Sequence, residues 1–238
     1  MNWQALLYNT YLDSMAFIRV KIALFFSFVF PLMLFIIFCT IWGTANNSYI
    51  EFLLPGMIVL MAISEGLFSI GPVIKDYYSS GMIKLIKYLP VDVSMFFISF
   101  ICSRLLFFLL SVALLLVSAK VFFDYNAMVI YPRLLMGSVL SLLTFSLLGL
   151  CISFLGKKDN NRTLSNFVFF ILIFIGNLFY ATAVESAVFR FFQNFLPTNH
   201  LVALMRGEAY NIVIIFGWLV FLAVLFRLLF IKIRYSRA

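Results

Sequence analysis

Histidine is almost missing. His200 is the single one in 238 residues, which excludes multi-histidine metal sites. Standing beside Asn199, it is expected at a surface or interface position rather than as a general base, since that work also needs a positioned partner. Charge is scarce as well: Asp, Glu, Lys and Arg make up 11% of the chain. The few carboxylates are not clustered, no Gly-x-Ser-x-Gly occurs, and no apolar run carries a serine with a histidine, so nothing supports enzyme chemistry. No Gly-x-x-x-x-Gly-Lys-Ser/Thr run is present, so this chain has no P-loop to hold ATP. Cys39, Cys102 and Cys151 lie inside apolar segments without metal-like spacing and are expected to be small buried hydrophobes. The net charge of +8 comes from scattered basic residues that mostly flank apolar runs, which argues against a nucleic-acid partner.

What is there is apolar. Hydrophobic residues form 65% of the chain, whereas a soluble domain has about a quarter of its residues charged. Such a surplus cannot be buried in a water-soluble core, so the chain is expected to be an integral membrane protein whose partner is the lipid bilayer. A helical span needs about 20 mostly apolar residues. Six stretches qualify: Ile22 to Trp42 (with Pro31 as a kink), Leu53 to Ile74, Met95 to Ala119, Leu134 to Leu155, Leu164 to Ala183 and Ile212 to Ile231. Their continuous rather than alternating hydrophobicity selects helices over a β-barrel. The fold class is therefore all-α, polytopic, with six transmembrane helices. With no internal repeat or linker, residues 1–238 are expected to form a single transmembrane permease domain without a nucleotide-binding domain.

Lysine and arginine set the direction. With a cytoplasmic N-terminus, eleven basic residues fall on inside segments (Arg19, Lys21, Lys75, Lys84, Lys87, Lys157, Lys158, Arg162, Lys232, Arg234 and Arg237). Four fall outside: Lys120, Arg133, Arg190 and Arg206. Six spans return the C-terminus to the cytoplasm. The N-terminus does not resemble a signal peptide, which would open with basic residues. Trp3, Leu6, Leu7, Tyr11, Met15 and Ile18 recur at helical steps, the pattern of an amphipathic helix along the cytoplasmic interface. Residues 184–211 form the longest outer stretch. Part of it, "AVFRFFQNFLPTNHLVALMRG", is too polar to span and predicts two short helices that dip back toward the membrane and break at Pro197.

Two intramembrane charges stand out, Glu65 in the second span and Arg104 in the third. Each is ten residues from its cytoplasmic edge, roughly 15 Å at 1.5 Å per residue. At matching depth on antiparallel helices they are expected to pair, either to hold the helices together or to line a substrate or proton path.

Between the second and third spans lies "KDYYSSGMIKLIKYLP", a polar, weakly amphipathic segment. It has the form of a short lever with an apolar stripe for a partner. At this point the chain resembles the membrane subunit of type-2 ATP-binding-cassette (ABC) exporters. The resemblance rests on the Leu54-Pro55-Gly56 opening of span two and on a basic-acidic-x-x-x-Gly loop at Lys75, Asp76 and Gly81 that closes on Pro90. In this chain four residues, Tyr77 to Ser80, separate Asp76 from Gly81, one more than that pattern has; the resemblance also rests on "LLGLCISFLGKKDNN" at the end of span four, and on Pro197 followed by Arg206 in the external hairpin. The chain departs from many relatives at "IGNLFYATAVES", which has Gly176 and Asn177 but no proline.

The resemblance implies a short cytoplasmic coupling helix between spans two and three. Its residues Lys75, Asp76, Tyr77, Tyr78, Gly81, Met82, Ile83, Lys84 and Pro90 would couple to a separate nucleotide-binding ATPase subunit. It further implies a second permease chain, as homodimer or heterodimer, an external re-entrant hairpin between spans five and six, and location in a bacterial plasma (inner) membrane. No cofactor is expected on this chain; ATP and Mg would sit on the partner ATPase. The implied function is export of a hydrophobic or amphipathic substrate (peptide, drug or lipid-linked glycan), a choice to which the 31 phenylalanines lend some weight. The family also moves polysaccharides and haem. An ion-coupled secondary transporter is the rival from another class; it would favour more intramembrane charges and inverted repeats.

Overall fold

A computed structural model describes residues 3–19, 21–43, 47–82, 93–125, 131–155, 161–179 and 187–235. Nearly all of them are helical and none is in a strand. That is the arrangement in which an apolar chain satisfies its backbone hydrogen bonds without water. The helices of the described residues are labelled in chain order: α1 (Trp3–Arg19), α2 (21–43), α3 (47–79), α4 (Val93–Phe123), α5 (Tyr131–Leu155), α6 (Asn161–Ile175), α7 (Ala187–Phe195), α8 (Pro197–Arg206) and α9 (Ile212–Tyr235). Four segments are long and apolar enough to cross a membrane, Ser48–Ser79, Phe96–Phe123, Tyr131–Leu155 and Ile212–Ile231; Ser27–Gly43 and Arg162–Ile175 are shorter apolar helices. The chain is a multi-pass membrane protein.

Helix α5 is the hub, packing against α3, α9, α8 and α6. Its buried face is small and hydroxylic, with Gly137, Ser138, Ser141, Thr144, Gly149 and Ser153. Ser138 and Thr144 donate to the carbonyls of Leu135 and Leu140 on their own helix, both at 2.8 Å, and so bring no unmet polar demand into the contact. Apolar burial does not drive helices together in lipid; close van der Waals packing does. The closest approach is at Gly66 of α3 and Gly149 of α5. A Cβ on Gly66 would strike the Phe145 carbonyl, and one on Gly149 would strike the Gly66 carbonyl. Conversely, α9 turns Val213, Phe216, Val220, Val224 and Leu228 outward, as suits a helix at the lipid boundary.

Among the described residues three stretches are π-helical: Phe25–Val29 and Cys39–Gly43 in α2, and Glu65–Ile70 in α3. Such wide turns are rare and cluster at functional sites.

Several boundaries differ from the sequence expectation. Helix α3 runs past Ile74 to Ser79, so Lys75, Asp76, Tyr77 and Tyr78 belong to the second span's helix and not to a separate coupling helix. Tyr77 meets Phe96 and Phe100 of α4 at 5.4 and 6.0 Å between ring centroids, tilted against the first and edge-on to the second. Tyr78 meets Phe154 of α5 and Phe230 of α9 at 5.7 and 5.5 Å. These rings prolong the helix by giving its last turn partners on three neighbours. It stops where the Gly81 N–H reaches the Tyr78 carbonyl and Gly81 takes φ +77, the left-handed conformation that glycine adopts at helix ends. Ile83, Lys84 and Pro90 lie outside the described residues. Helix α6 ends at Ile175 rather than Ala183, because the chain turns at Gly176 and Asn177, the latter with φ +53.

The helical pair α7–α8 breaks at Leu196 and Pro197, as the proline suggests. Leu196 is extended and Pro197 opens α8 in its first turn, where a missing N–H costs nothing.

Candidate functional site

Helix α1 packs along α4 with its polar side inward. Asn9, Thr10, Asp13, Ser14 and Phe17 face the protein, whereas Trp3, Leu7, Tyr11, Met15 and Ile18 point away. This orientation suits a helix whose outer surroundings are apolar. Ser14 and Ser103 hydroxyls meet at 3.1 Å, and Ser99 donates to the Asp13 carboxylate at 3.5 Å. Burial pushes the Asp13 carboxyl above its ordinary range, while Arg104 and the Ser99 hydroxyl pull it back.

Arg104 stands at the centre of this contact. Its guanidinium lies over the Phe17 ring at 4.4 Å and the Phe100 ring at 5.0 Å, a favourable placement for a delocalised cation. Its Nη1 is 3.7 Å from Glu65 Oε1. The two charges are thus an ion pair, but the gap is too wide for a hydrogen bond. Among the described residues neither of these two atoms has a hydrogen-bond partner, although Glu65 is only 8% and Arg104 9% exposed. The other carboxylate oxygen of Glu65 accepts from Ser27 at 3.4 Å. Glu65 opens the π-helical stretch of α3 and Ser27 sits within that of α2.

The pair borders a cavity of about 960 Å³, at the upper end of the range for drug-sized ligands. Helix α1 contributes Asp13 and Phe17, α2 Ser27 and Phe30, and α3 Met61, Glu65, Phe68, Ser69 and Tyr77. Helix α4 adds Phe100, Arg104, Phe107 and Ser111; α6 adds Arg162, Asn166, Phe169 and Phe170. The walls are mainly aromatic, with polar groups concentrated around the ion pair. Sequence reasoning singles out Glu65 and Arg104 but misses Asp13, Ser27, Ser69 and the α6 residues. Asp13 carried a legible signal, a carboxylate on an amphipathic helix; the others are ordinary residues that only the helix arrangement brings to one space.

Arg206 works elsewhere. It leaves α8 and donates to the carbonyls of Phe52 (3.0 Å), Asn177 (3.2 Å) and Leu178 (3.4 Å), with its guanidinium 3.5 Å from the centre of the Phe52 ring. It thereby ties α8 to the start of α3 and to the turn after α6. Burial lowers it to about 10, with Glu208 opposing, so it stays charged at neutral pH. His200 is buried rather than at the surface. Its Nδ1 accepts from the Asn211 N–H at 3.3 Å, which leaves Nε2 to donate to the Asn194 carbonyl at 2.8 Å. It is a staple between α7, α8 and the start of α9. Pro197 opens α8 and is itself buried. Lys75, Asp76, Tyr77 and Tyr78 form the last turns of α3, with Gly81 and Met82 just beyond; of these only Tyr77 reaches the cavity. Among the described residues no three His, Cys, Asp or Glu side chains stand close enough to hold a metal ion.

A comparison with curated proteins gives no match. The family model described as ABC-2 type transporter matches residues 2–210, from the start of the chain to beyond α8. The long apolar helices, the cavity they enclose and this match agree: the chain belongs to the ABC-2 type transporter family, as a transmembrane subunit of an ABC transporter.

Proposed function

We propose that the chain is the permease of an ABC exporter, and that the cavity between α1, α2, α3, α4 and α6 receives a hydrophobic or amphipathic substrate. The observation that carries this reading is a space of about 960 Å³ with aromatic walls and one buried ion pair at its edge. A charge pair kept within apolar helices is costly, and its position on a cavity wall gives it a use beyond joining two helices. Residues 1–238 act as one permease domain with six spans. The excess of basic residues around Lys75, Lys157 and the C-terminus supports cytoplasmic termini in a bacterial plasma membrane. The α7–α8 pair then lies at the outer side.

Energy enters from a separate ATPase subunit that binds ATP and Mg, with a second permease chain completing the pathway. The end of α3 is the joint. Tyr77 and Tyr78 lock it to α4, α5 and α9, so force applied beyond Gly81 is passed to the helix that carries Glu65. The test is purification of the tagged chain from its native membrane. A nucleotide-binding ATPase should accompany it and be lost in Gly81→Asp or Met82→Asp. Absence of any ATPase, together with substrate movement that stops when the proton gradient is dissipated but not with vanadate, would favour the ion-coupled reading instead.

A further inference from the structure

We infer that the Glu65–Arg104 pair is a head-group reader that selects uncharged amphiphiles carrying a hydroxyl or a primary carboxamide. The inference rests on the reading of this cavity as the substrate site. Oε1 of Glu65 and Nη1 of Arg104 are 3.7 Å apart and both lack a hydrogen-bond partner among the described residues. One is a spare acceptor and the other a spare donor, each on a residue more than nine-tenths buried. A single group that donates to the first and accepts from the second completes both. A hydroxyl does this with one oxygen, and a primary carboxamide with its N–H and its carbonyl side by side.

Charged heads fail on the same geometry. A carboxylate or phosphate offers acceptors only, so it serves Arg104 and leaves Glu65 opposed by a like charge. An ammonium offers donors only and leaves Arg104 in the same position. Among the described residues the remaining charged groups on the cavity wall are Asp13 and Arg162. With Glu65 and Arg104 they sum to zero, so the lining attracts neither sign as a whole. Water satisfies the same two atoms, and a ligand that displaces it gains only if its head reproduces both bonds. The aromatic remainder of the cavity, with Phe68 and Phe170 among its walls, supplies the apolar part of the match.

The test uses the full-length chain with its co-purifying subunits in lipid nanodiscs. Three tritiated probes share an acetyl-Phe-Phe body and differ only in the head: acetyl-Phe-Phe-amide (neutral), acetyl-Phe-Phe with a free carboxylate, and acetyl-Phe-Phe 2-aminoethylamide with a free amine and no primary carboxamide. Binding is read by equilibrium dialysis against empty nanodiscs. The neutral amide should bind roughly tenfold more tightly than either charged probe, the value of one hydrogen bond to a charged group. Glu65→Gln should move the preference toward the carboxylate and Arg104→Gln toward the amine. The double exchange Glu65→Arg with Arg104→Glu keeps one donor and one acceptor, and should keep the preference if a single variant fails to fold. Equal binding of the three probes, or a preference that neither single variant moves, overturns the inference. So does the absence of measurable binding by all three. Ser69→Trp separates this from failure of the cavity reading. If it weakens all three probes alike while the head groups are not distinguished, the cavity is the site and only the reader is refuted. Binding unchanged by Ser69→Trp refutes the cavity reading itself.

Discussion

Removing either partner of the Glu65–Arg104 pair leaves the other charge buried. In proteins generally that costs about 3–5 kcal/mol. Glu65→Ala and Arg104→Ala should each lower thermal stability by an amount in this range, and Glu65→Arg with Arg104→Glu should recover a large part of it; a double exchange no better than the singles would contradict direct pairing. Asp13 gives a prediction with a sign. Its folded-state value is raised above the ordinary 3.8, so its contribution to stability is full below that value and is lost as pH rises through the raised one. Wild type should therefore gain in melting temperature relative to Asp13→Asn as the medium is acidified from pH 7, and the opposite trend would show Asp13 held chiefly by its attraction to Arg104. At this scale the sequence speaks where a residue conflicts with its surroundings. Glu65 and Arg104 interrupt apolar runs, and their depths can be counted. Ser27 and Ser69 conflict with nothing in their own helices, so their convergence on Glu65 is invisible until the helices are placed. The burial of His200 is hidden for the same reason: its two partners, Asn194 and Asn211, lie in separate segments.

Between elements, the tightest contact is the crossing of α3 and α5 at Gly66 and Gly149. Gly149→Leu would push a side chain into the Gly66 carbonyl and should destabilise the fold by at least about 1–3 kcal/mol, read as loss of the monodisperse peak in size-exclusion chromatography or a lowered melting temperature. Gly217 of α9, whose added Cβ would meet nothing within 4 Å, is the control; equal damage at both would refute the crossing. Arg206 predicts a different failure. Its guanidinium reaches three carbonyls, and lysine cannot reproduce that fork. Arg206→Lys should cost about 2 kcal/mol, of the order of one charge-assisted hydrogen bond, and should loosen α8 from α3 in hydrogen exchange. Apolar length made the long helices legible, and Pro197 marked the α7–α8 break. The π-helical turns were not legible, because they depend on how neighbouring helices force the backbone. Nor was the reach of α3 to Ser79: its polar last turn reads as loop, and only the rings around Tyr77 and Tyr78 keep it helical.

At the scale of the whole molecule, α5 forms a tightly packed hub while α1, α2, α3, α4 and α6 enclose the cavity. The same helix, α3, meets both. It touches α5 through glycine, carries Glu65 at the cavity and ends at the aromatic joint that precedes Gly81. Motion of that joint and occupancy of that cavity are therefore expected to be coupled. The direct measurement is ATP hydrolysis by the purified complex in nanodiscs, with and without acetyl-Phe-Phe-amide. The peptide is expected to stimulate hydrolysis in wild type and in Val220→Trp, which alters only the outer face of α9, whereas Ser69→Trp, which puts an indole into the cavity beside Glu65, should abolish the stimulation. Stimulation that survives Ser69→Trp undiminished would show that the joint and the cavity are not coupled.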